Sequence, residues 1–255
     1  MPQIEKHPFG SFCWVELATT DQNSAKAFYT SLFGWQIEDM PMGPNAFYSI
    51  FKVNGGDAGA AHTLLPEMSQ QGIPPNWTLY IAVDDVDTAA KRAGELGGIV
   101  CKAPFDISDI GRIAALQDPT GTAFCLWQAK NQKGTRTLNE NGALCWADLN
   151  TNDKARAQTF YSRLLGWKFE EGDNNYTHIK NGDDYIGGMP MEEHGLPPHW
   201  LAYFQVADCD ASTAKCKSLG GTVHFGPTSL ENVGRFSVLG DPQGAVFAVF
   251  QPEMK

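Results

Sequence analysis

The chain has 255 residues, of which 42% are hydrophobic, and its 29 acidic and 19 basic side chains give a net charge of −10. This composition predicts a soluble globular protein without a membrane span, and an isoelectric point near 5.0 excludes a broad basic surface for nucleic acid. The first ten residues lack the apolar stretch of a signal peptide, and the six cysteines show no CxxC spacing, so we expect reduced thiols and a cytoplasmic location.

The sequence repeats itself once. "AFYTSLFGWQ" begins at residue 27 and returns as "TFYSRLLGWK" at residue 159. Residues 13–35 match residues 145–167 at 11 of 23 positions, and residues 74–128 match residues 197–251 at 20 of 55 positions without a gap. Such similarity indicates a tandem duplication, which has to be recognised before any element is assigned.

Each copy is long enough to form a domain with its own core. We predict a first domain over residues 10–128 and a second over residues 143–251. Residues 129–142, "AKNQKGTRTLNENG", are polar and are predicted to be a linker.

Each copy opens with a short strand, "SFCWVELAT" or "GALCWADLN", followed by Asp21 or Asp153 as a helix cap. Apolar side chains then recur with the spacing of one buried helix face, at Ala25, Phe28, Tyr29, Leu32 and Phe33. Gly34 and Gly166 suit the left-handed residue just past a helix. The duplicated phrase is therefore predicted to be a buried helix face and its end.

The rest of each copy predicts further strands and a second helix. In the first copy, "AFYSIFKV" and "DAGAAHTLL" are separated by the turn-forming "NGG". The strand "WTLYIAV" precedes the helix "DVDTAAKRAGELGG", and "RIAAL" and "AFCLWQ" flank the type I turn "DPTG". The order predicts two βαβββ units in each copy and four in the chain.

The order of strand, "D…FYxxLxGW", "D…LGG" and "GR…DPxG…F" resembles the vicinal oxygen chelate superfamily, which includes glyoxalase I, bleomycin-resistance proteins and extradiol dioxygenases. The pattern occurs once in each copy, so the resemblance covers nearly the whole chain. It implies an α+β fold of two tandem domains, in each of which two paired βαβββ units form a half-open barrel around one cavity.

Family enzymes hold a divalent metal with His, Gln or Glu on the first and last strands of the units. By the resemblance, the matching positions are Trp14, His62, Thr78 and Cys125 in the first copy and Trp146, Met189, Leu201 and Ala248 in the second. Trp, Leu and Ala side chains have no lone pair to offer a metal. We therefore predict no metal and no other cofactor.

Strand alternation places more side chains beside these positions. Glu16 and Asp148 lie two residues after the tryptophans, and Tyr80 and Tyr203 lie two residues after Thr78 and Leu201. The same alternation predicts that Cys13 and Cys145 face away from the cavities. The predicted cavity residues are Trp14, Glu16, His62, Thr78, Tyr80 and Cys125 in one domain and Trp146, Asp148, Met189, Leu201 and Tyr203 in the other. Arg112 and Arg235, which follow Gly at matched strand starts, could contact an anionic ligand or form an internal salt bridge.

Three functions remain open. The aromatic cavities favour metal-independent binding or sequestration of a small organic ligand, as in the bleomycin-resistance proteins of the family. The alternative is a glyoxalase-like lyase or a dioxygenase-like enzyme with metal ligands relocated to Glu16, His62 and Cys125. A third is a metal-free enzyme that transfers protons through Glu16, Tyr80 or Cys125. Whichever function applies, we expect the protein to be a monomer or a homodimer with a small organic ligand as its partner.

Overall fold

The computed structural model describes residues 3–44, 46–192 and 195–253. The described part of the first half forms strands and helices β1 Phe12–Thr19, α1 Gln22–Phe33, β2 Gln36–Gly43, β3 Ala46–Val53, β4 Gly56–Thr63, α2 Pro66–Gln70, β5 Asn76–Ala82, α3 Val86–Glu95, β6 Ile99–Ile107, β7 Gly111–Gln117 and β8 Ala123–Ala129. The second half forms β9 Leu144–Asn150, α4 Lys154–Leu165, β10 Lys168–Glu171, β11 Thr177–Asn181, β12 Asp184–Met189, β13 His199–Gln205, α5 Cys209–Ser218, β14 Thr222–Leu230, β15 Gly234–Gly240 and β16 Val246–Pro252. A 3₁₀ turn, Asp173–Asn175, lies between β10 and β11.

Each half builds one eight-stranded mixed sheet. The first has the order β2-β3-β4-β1-β5-β8-β7-β6, and the second has the equivalent order β10-β11-β12-β9-β13-β16-β15-β14. Within each βαβββ unit the first strand pairs in parallel with the last, as β1 does with β4, and the two units join through an antiparallel pair, as β1 does with β5. The predicted α+β fold of four βαβββ units in two half-open sheets is confirmed.

The duplicated phrase forms helices α1 and α4 with the predicted ends. The Asp21 carboxylate caps α1 by accepting a hydrogen bond of 3.0 Å from the Ser24 amide, and Asp153 caps α4 in the same way. Gly34 ends α1 with a φ of 73°, which a side chain would oppose.

The long helices pack on one face of each sheet, which we call the inner face; the opposite face is the outer face. The helices and the two inner faces form one core that extends through both halves. The core includes Phe12, Leu17 and Phe51 of the first half together with Phe204 and Phe247 of the second. This differs from the predicted separate core in each copy. The difference arises because the aromatic face of each copy is covered by the other copy.

Two indole groups of the joint core donate hydrogen bonds to backbone carbonyls just before the first strand of the other copy. The Trp167 Nε1 donates to the Gly10 carbonyl at 2.8 Å, and the Trp35 Nε1 donates to the Gly142 carbonyl at 2.6 Å. The Phe12 ring packs edge-on against Trp167 and Trp200, with centroids 5.5 and 5.2 Å apart. The "GW" of the repeated phrase therefore connects the two copies.

A β-bulge corrects the predicted orientation of the paired cysteines. In β1 the register with β5 shifts between Phe12 and Trp14, so Cys13 and Trp14 both belong to the outer face. The same shift near Trp146 brings Cys145 to the outer face of the second sheet. A residue between the two copies supplies the hydrogen-bond donor for the bulged residue, because the Thr135 amide donates to the Cys13 carbonyl at 2.7 Å.

No helix in the described part of the chain is long and apolar enough to cross a membrane.

Candidate functional site

A partly buried carboxylate, Glu16, whose side chain is 14% exposed, lies at the centre of the outer face of the first sheet. Its Oε1 accepts a hydrogen bond of 2.8 Å from the Tyr80 hydroxyl, and its Oε2 accepts one of 2.7 Å from the Tyr48 hydroxyl. The His62 Nε2 lies 3.2 Å from Oε1. The four side chains come from the adjacent strands β1, β3, β4 and β5, so the sheet itself brings them together.

Aromatic and apolar side chains surround this carboxylate. The Trp14 Nε1 donates to the Tyr48 hydroxyl at 2.9 Å, which extends the network by one residue. Cys125 pairs with Tyr80 in the parallel register of β5 and β8, and Trp127 lies edge-on to Tyr80 with centroids 6.4 Å apart. We call the set of Trp14, Glu16, Tyr48, His62 and Tyr80, with these neighbours, the Glu16 site.

The two ring nitrogens of His62 both face acceptors. Nδ1 lies 2.9 Å from the Thr63 carbonyl and Nε2 lies 3.2 Å from Glu16 Oε1, an arrangement in which a protonated ring donates to both acceptors. Burial lowers the pKa of His62, but Glu16 outweighs burial and the net pKa is raised. Burial likewise raises the pKa of Glu16, but His62 and the two phenols outweigh it and the net pKa is lowered. The site therefore holds an ion pair.

The second sheet repeats the arrangement around Asp148. Its Oδ1 accepts from the Tyr176 hydroxyl at 2.6 Å and from the Trp146 Nε1 at 3.0 Å, and its Oδ2 accepts from the Tyr203 hydroxyl at 2.7 Å. The Trp146 Nε1 also lies 2.8 Å from the Tyr176 hydroxyl. We call this set the Asp148 site.

The two sites differ in charge. Burial raises the pKa of Asp148, although the hydrogen bonds from Tyr176, Tyr203 and Trp146 partly offset it. The strand registers explain why the Asp148 site has no counterpart of His62. Gly59 of β4 corresponds to Gly187 of β12, so the residue equivalent to His62 is Pro190. The first site is thus the more polar one.

Met189 does not line the second site. Gly188 pairs with Asp148, so the next residue of β12 faces the opposite side of the sheet, and Met189 is fully buried in the joint core. The prediction that Met189 matches His62 was wrong by one residue. In a strand, a shift of one residue moves a side chain to the opposite face of the sheet.

Gly188 makes room for the Asp148 site. A methyl group at this position would lie 1.9 Å from the Tyr176 hydroxyl, because the phenol crosses directly over the strand to reach Asp148. In the first sheet Ala60 occupies the matching register position opposite Glu16. The absence of a side chain at Gly188 is therefore a requirement of this cluster.

The residues on the outer faces do not fit the metal site that the family implies. Both Glu16 oxygens already accept hydrogen bonds from protein groups, and both His62 nitrogens face protein acceptors. The Cys125 thiol shares the face, but burial raises its pKa and keeps it neutral. Among residues 3–44, 46–192 and 195–253, no three His, Cys, Asp or Glu side chains are grouped so that they could hold a metal ion.

The remaining predicted residues lie close to these sites without completing one. Thr78 is the register partner of Glu16, but its hydroxyl donates to Asn76 at 3.0 Å. Leu201 is the register partner of Asp148 and packs in the apolar cluster with Tyr203 and Ala248. These residues shape the face and add no free donor.

Arg112 and Arg235 form internal ion pairs. The Arg112 guanidinium binds both carboxylate oxygens of Asp87, at 2.7 and 2.9 Å, and Arg235 binds Asp210 at 2.6 and 2.9 Å. Each carboxylate lies in the first turn of a helix, α3 or α5. Of the two interpretations left open by the sequence, the geometry therefore favours the salt bridge over a ligand contact.

Tyr48 and Tyr176 belong to the two sites, but the sequence interpretation missed them. They precede the Asn-Gly turns at Asn54 and Asn181 by six and five residues, so a one-residue gap hides their equivalence. Alignment on the buried strand residues that follow, Phe51 and Ile179, would have paired them.

A family model described as "Glyoxalase/Bleomycin resistance protein/Dioxygenase superfamily" matches residues 11–126 and 143–249. A Mycobacterium bovis protein named "Putative glyoxylase CFP32" is 43% identical over 258 residues, which cover 99% of this chain and 98% of the relative. The "Anthracycline biosynthesis protein DnrV" of Streptomyces peucetius is 32% identical over 259 residues, which cover 95% of this chain and 93% of the relative.

Solved structures show the same fold at low identity. A Mn(II)-bound glyoxalase from Novosphingobium aromaticivorans gives a TM-score of 0.67 at 16% identity, covering 95% of this chain and 82% of that one. The 2,3-dioxygenase LapB from Pseudomonas sp. KL28 gives 0.64 at 15% identity, covering 100% and 94%.

Proposed function

Since this chain belongs to the glyoxalase/bleomycin resistance protein/dioxygenase superfamily, we propose that it binds and sequesters a small organic molecule without a metal cofactor. The ligand would lie on the outer face of the first sheet, against the Glu16 site. The observation that carries the proposal is that Glu16 accepts hydrogen bonds from Tyr48, Tyr80 and His62 at once. A carboxylate engaged in this way fixes the orientation of the phenols.

The surroundings favour a planar, largely apolar ligand with a few polar groups. The indole of Trp14 and the phenols of Tyr48 and Tyr80 make this face aromatic, with the Trp14 and Tyr80 residues each 6% exposed, and each phenol oxygen keeps acceptor capacity. The names of the relatives, which refer to a glyoxylase and to anthracycline biosynthesis, support a small organic ligand. The Asp148 site would prefer a different ligand, because it lacks the ion pair.

Proton transfer by this site receives less support. The lowered pKa of Glu16 makes it a weak base, and the raised pKa of Cys125 leaves too little thiolate for a nucleophile. The alternative of a metalloenzyme rests on one observation, the contact between Glu16 and His62, with Cys125 on the same face. That set would have to give up the hydrogen bonds of both phenols to hold a metal.

The test is a fluorescence titration of chelator-treated protein with an anthracycline as the planar aromatic probe. We expect quenching of tryptophan emission in wild type, and about a fivefold weaker affinity in Trp14→Ala, because stacking on an aromatic side chain is worth ~1 kcal/mol. Trp77→Phe in the joint core is the matched control. Stoichiometric Mn²⁺, Zn²⁺ or Fe²⁺ binding that is lost in Glu16→Gln/His62→Gln, and without which no probe binds, would establish the metalloenzyme instead.

A further inference from the structure

A separate groove lies where the two halves meet, between helices α3 and α4. Its volume is about 270 Å³; residues of the first half, including Leu96 and Pro119, form one side, and Arg156, Phe160 and Arg163 of α4 form the other. We propose that this groove binds a small organic oxyanion, with its apolar part over Phe160 and its anionic group held by the two guanidinium groups.

The two arginines are positioned to act together. Arg156 and Arg163 are seven residues apart on α4, which is about two helical turns, so they project from the same face. Both are exposed at the groove rim, whereas Phe160 is only 2% exposed and forms its floor. Guanidinium groups bind carboxylates and phosphates in a bidentate manner, and an apolar floor suits a ring or a chain.

These arginines also differ from the others in the chain. The sequence has six arginines, and four of them, Arg92, Arg112, Arg136 and Arg235, have a carboxylate within 4.0 Å. Arg156 and Arg163 have no such partner among the residues that the structure describes. Within the described parts of the chain, the two guanidinium groups that have no carboxylate within 4.0 Å therefore lie in the same groove.

The local charge supports an anionic ligand. Helix α4 reads KARAQTFYSRLL and contains no acidic residue, in a protein of net charge −10. The one carboxylate at the groove, that of Glu95, lies 3.3 Å from the Arg92 guanidinium, which compensates its charge. A basic helix in an acidic protein concentrates anions locally.

The duplication provides an internal comparison. At the equivalent junction between α1 and α5 the floor is kept as Phe28, Leu219 and Pro242, whereas serines Ser24 and Ser31 replace the arginines. There the Gln243 Nε2 donates to the Ser24 hydroxyl at 2.9 Å, across the junction. The same packing therefore forms without arginine, which argues against a structural role for Arg156 and Arg163.

The test uses full-length protein at low salt, titrated calorimetrically with phenyl phosphate, inorganic phosphate and phenol. We expect phenyl phosphate to bind more tightly than either fragment. Arg156→Ser/Arg163→Ser, which introduces the residues of the first helix, should weaken binding at least about tenfold, since charge-assisted hydrogen bonds are lost. Lys215→Ser/Lys217→Ser on α5 removes the same charge elsewhere and should change the affinity less than about twofold.

Circular dichroism of each variant establishes that the fold is retained. Equal weakening in the two double variants would reduce the effect to overall charge and overturn the proposal. Unchanged binding in Arg156→Ser/Arg163→Ser, or inorganic phosphate binding as tightly as phenyl phosphate, would overturn it as well.

Discussion

The Tyr29 hydroxyl donates a hydrogen bond of 3.1 Å to Asp241 Oδ2, and this bond joins the first helix of one repeat to a turn of the other. The Trp77 Nε1 donates to the same hydroxyl at 3.0 Å, so the phenol is both donor and acceptor in a buried position. The other oxygen of Asp241 accepts from the amides of Gln243 and Ala245 in its own turn. The tyrosine of the repeated phrase therefore makes a buried polar contact between the two halves.

Replacing Tyr29 with Phe should destabilise the whole protein. The substitution keeps the ring and leaves Asp241 Oδ2 and the Trp77 indole without their buried partner, which costs about 1–3 kcal/mol. Chemical denaturation monitored by tryptophan fluorescence measures this. Tyr185→Phe, which removes an exposed hydroxyl bonded to Glu170, should change the free energy of unfolding by less than about 0.5 kcal/mol. Equal effects of the two substitutions would contradict the importance of the contact.

The ion pair of Glu16 and His62 should give the protein a pH-dependent stability. Because the pKa of Glu16 is lowered in the folded protein, this carboxylate stabilises the fold at a pH above its ordinary pKa of 4.5. That stabilisation is lost as the pH falls through the pKa of the folded state. Because the pKa of His62 is raised in the folded protein, this side chain stabilises the fold fully at a pH below its ordinary pKa of 6.5. That stabilisation is lost as the pH rises through the pKa of the folded state. His62→Gln should therefore lower the free energy of unfolding most, by about 1–3 kcal/mol, between pH 4.5 and 6.5.

The measurement is the free energy of unfolding of wild type and His62→Gln from pH 4 to 9. His199→Gln, whose Nδ1 lies 3.0 Å from the backbone carbonyl of Pro197, is the matched control. A constant difference between wild type and His62→Gln across this range would mean that the ion pair does not form.

Gly188→Ala should disrupt the Asp148 site and leave the Glu16 site unchanged. The added methyl group would meet the Tyr176 hydroxyl at 1.9 Å, so the phenol must leave Asp148, at a cost of about 1–3 kcal/mol. A crystal structure of the variant, with Ala60→Gly as the reciprocal change, would show the displaced ring. If Tyr176 kept its 2.6 Å bond in Gly188→Ala, the steric argument would fail.

Thiol reactivity should follow burial. Cys101 is exposed on the edge strand β6, whereas Cys13 and Cys125 are buried and burial raises the pKa of both thiols. Iodoacetamide at pH 8 should alkylate Cys101 first, and mass spectrometry identifies the site. Cys101→Ser should remove the fast phase. Early modification of Cys125 would show instead that its thiol is activated, and would revive the enzymatic interpretation.

The sequence was sufficient for the four long helices and for most strands in their order, because helical spacing, caps and turns are local signals, but it did not locate β2 and β6, the strands that follow α1 and α3. The cap at Asp21 and the stop at Gly34 occur as predicted. The outer-face cluster of Trp14, Glu16 and Tyr80 also follows from alternation along two strands. These features depend on neighbours in the chain, which a single sequence displays.

What the sequence could not show depends on contacts between distant segments. The bulge at Cys13 adds one residue to an otherwise regular strand, and only pairing with β5 exposes it. The register that moves Met189 into the core depends on β11 and β9 in the same way. The joint core was hidden for a similar reason, since an apolar helix face does not tell which partner covers it.

The joint core has a consequence for how the chain can be divided. Cutting the backbone within residues 129–142 would yield two peptides, each with an uncovered aromatic helix face that the other one fits. Co-expressed, the peptides should reassemble into the native arrangement, whereas either alone should aggregate. The halves thus provide a natural pair for fragment complementation, in which the Tyr29–Asp241 contact reports reassembly.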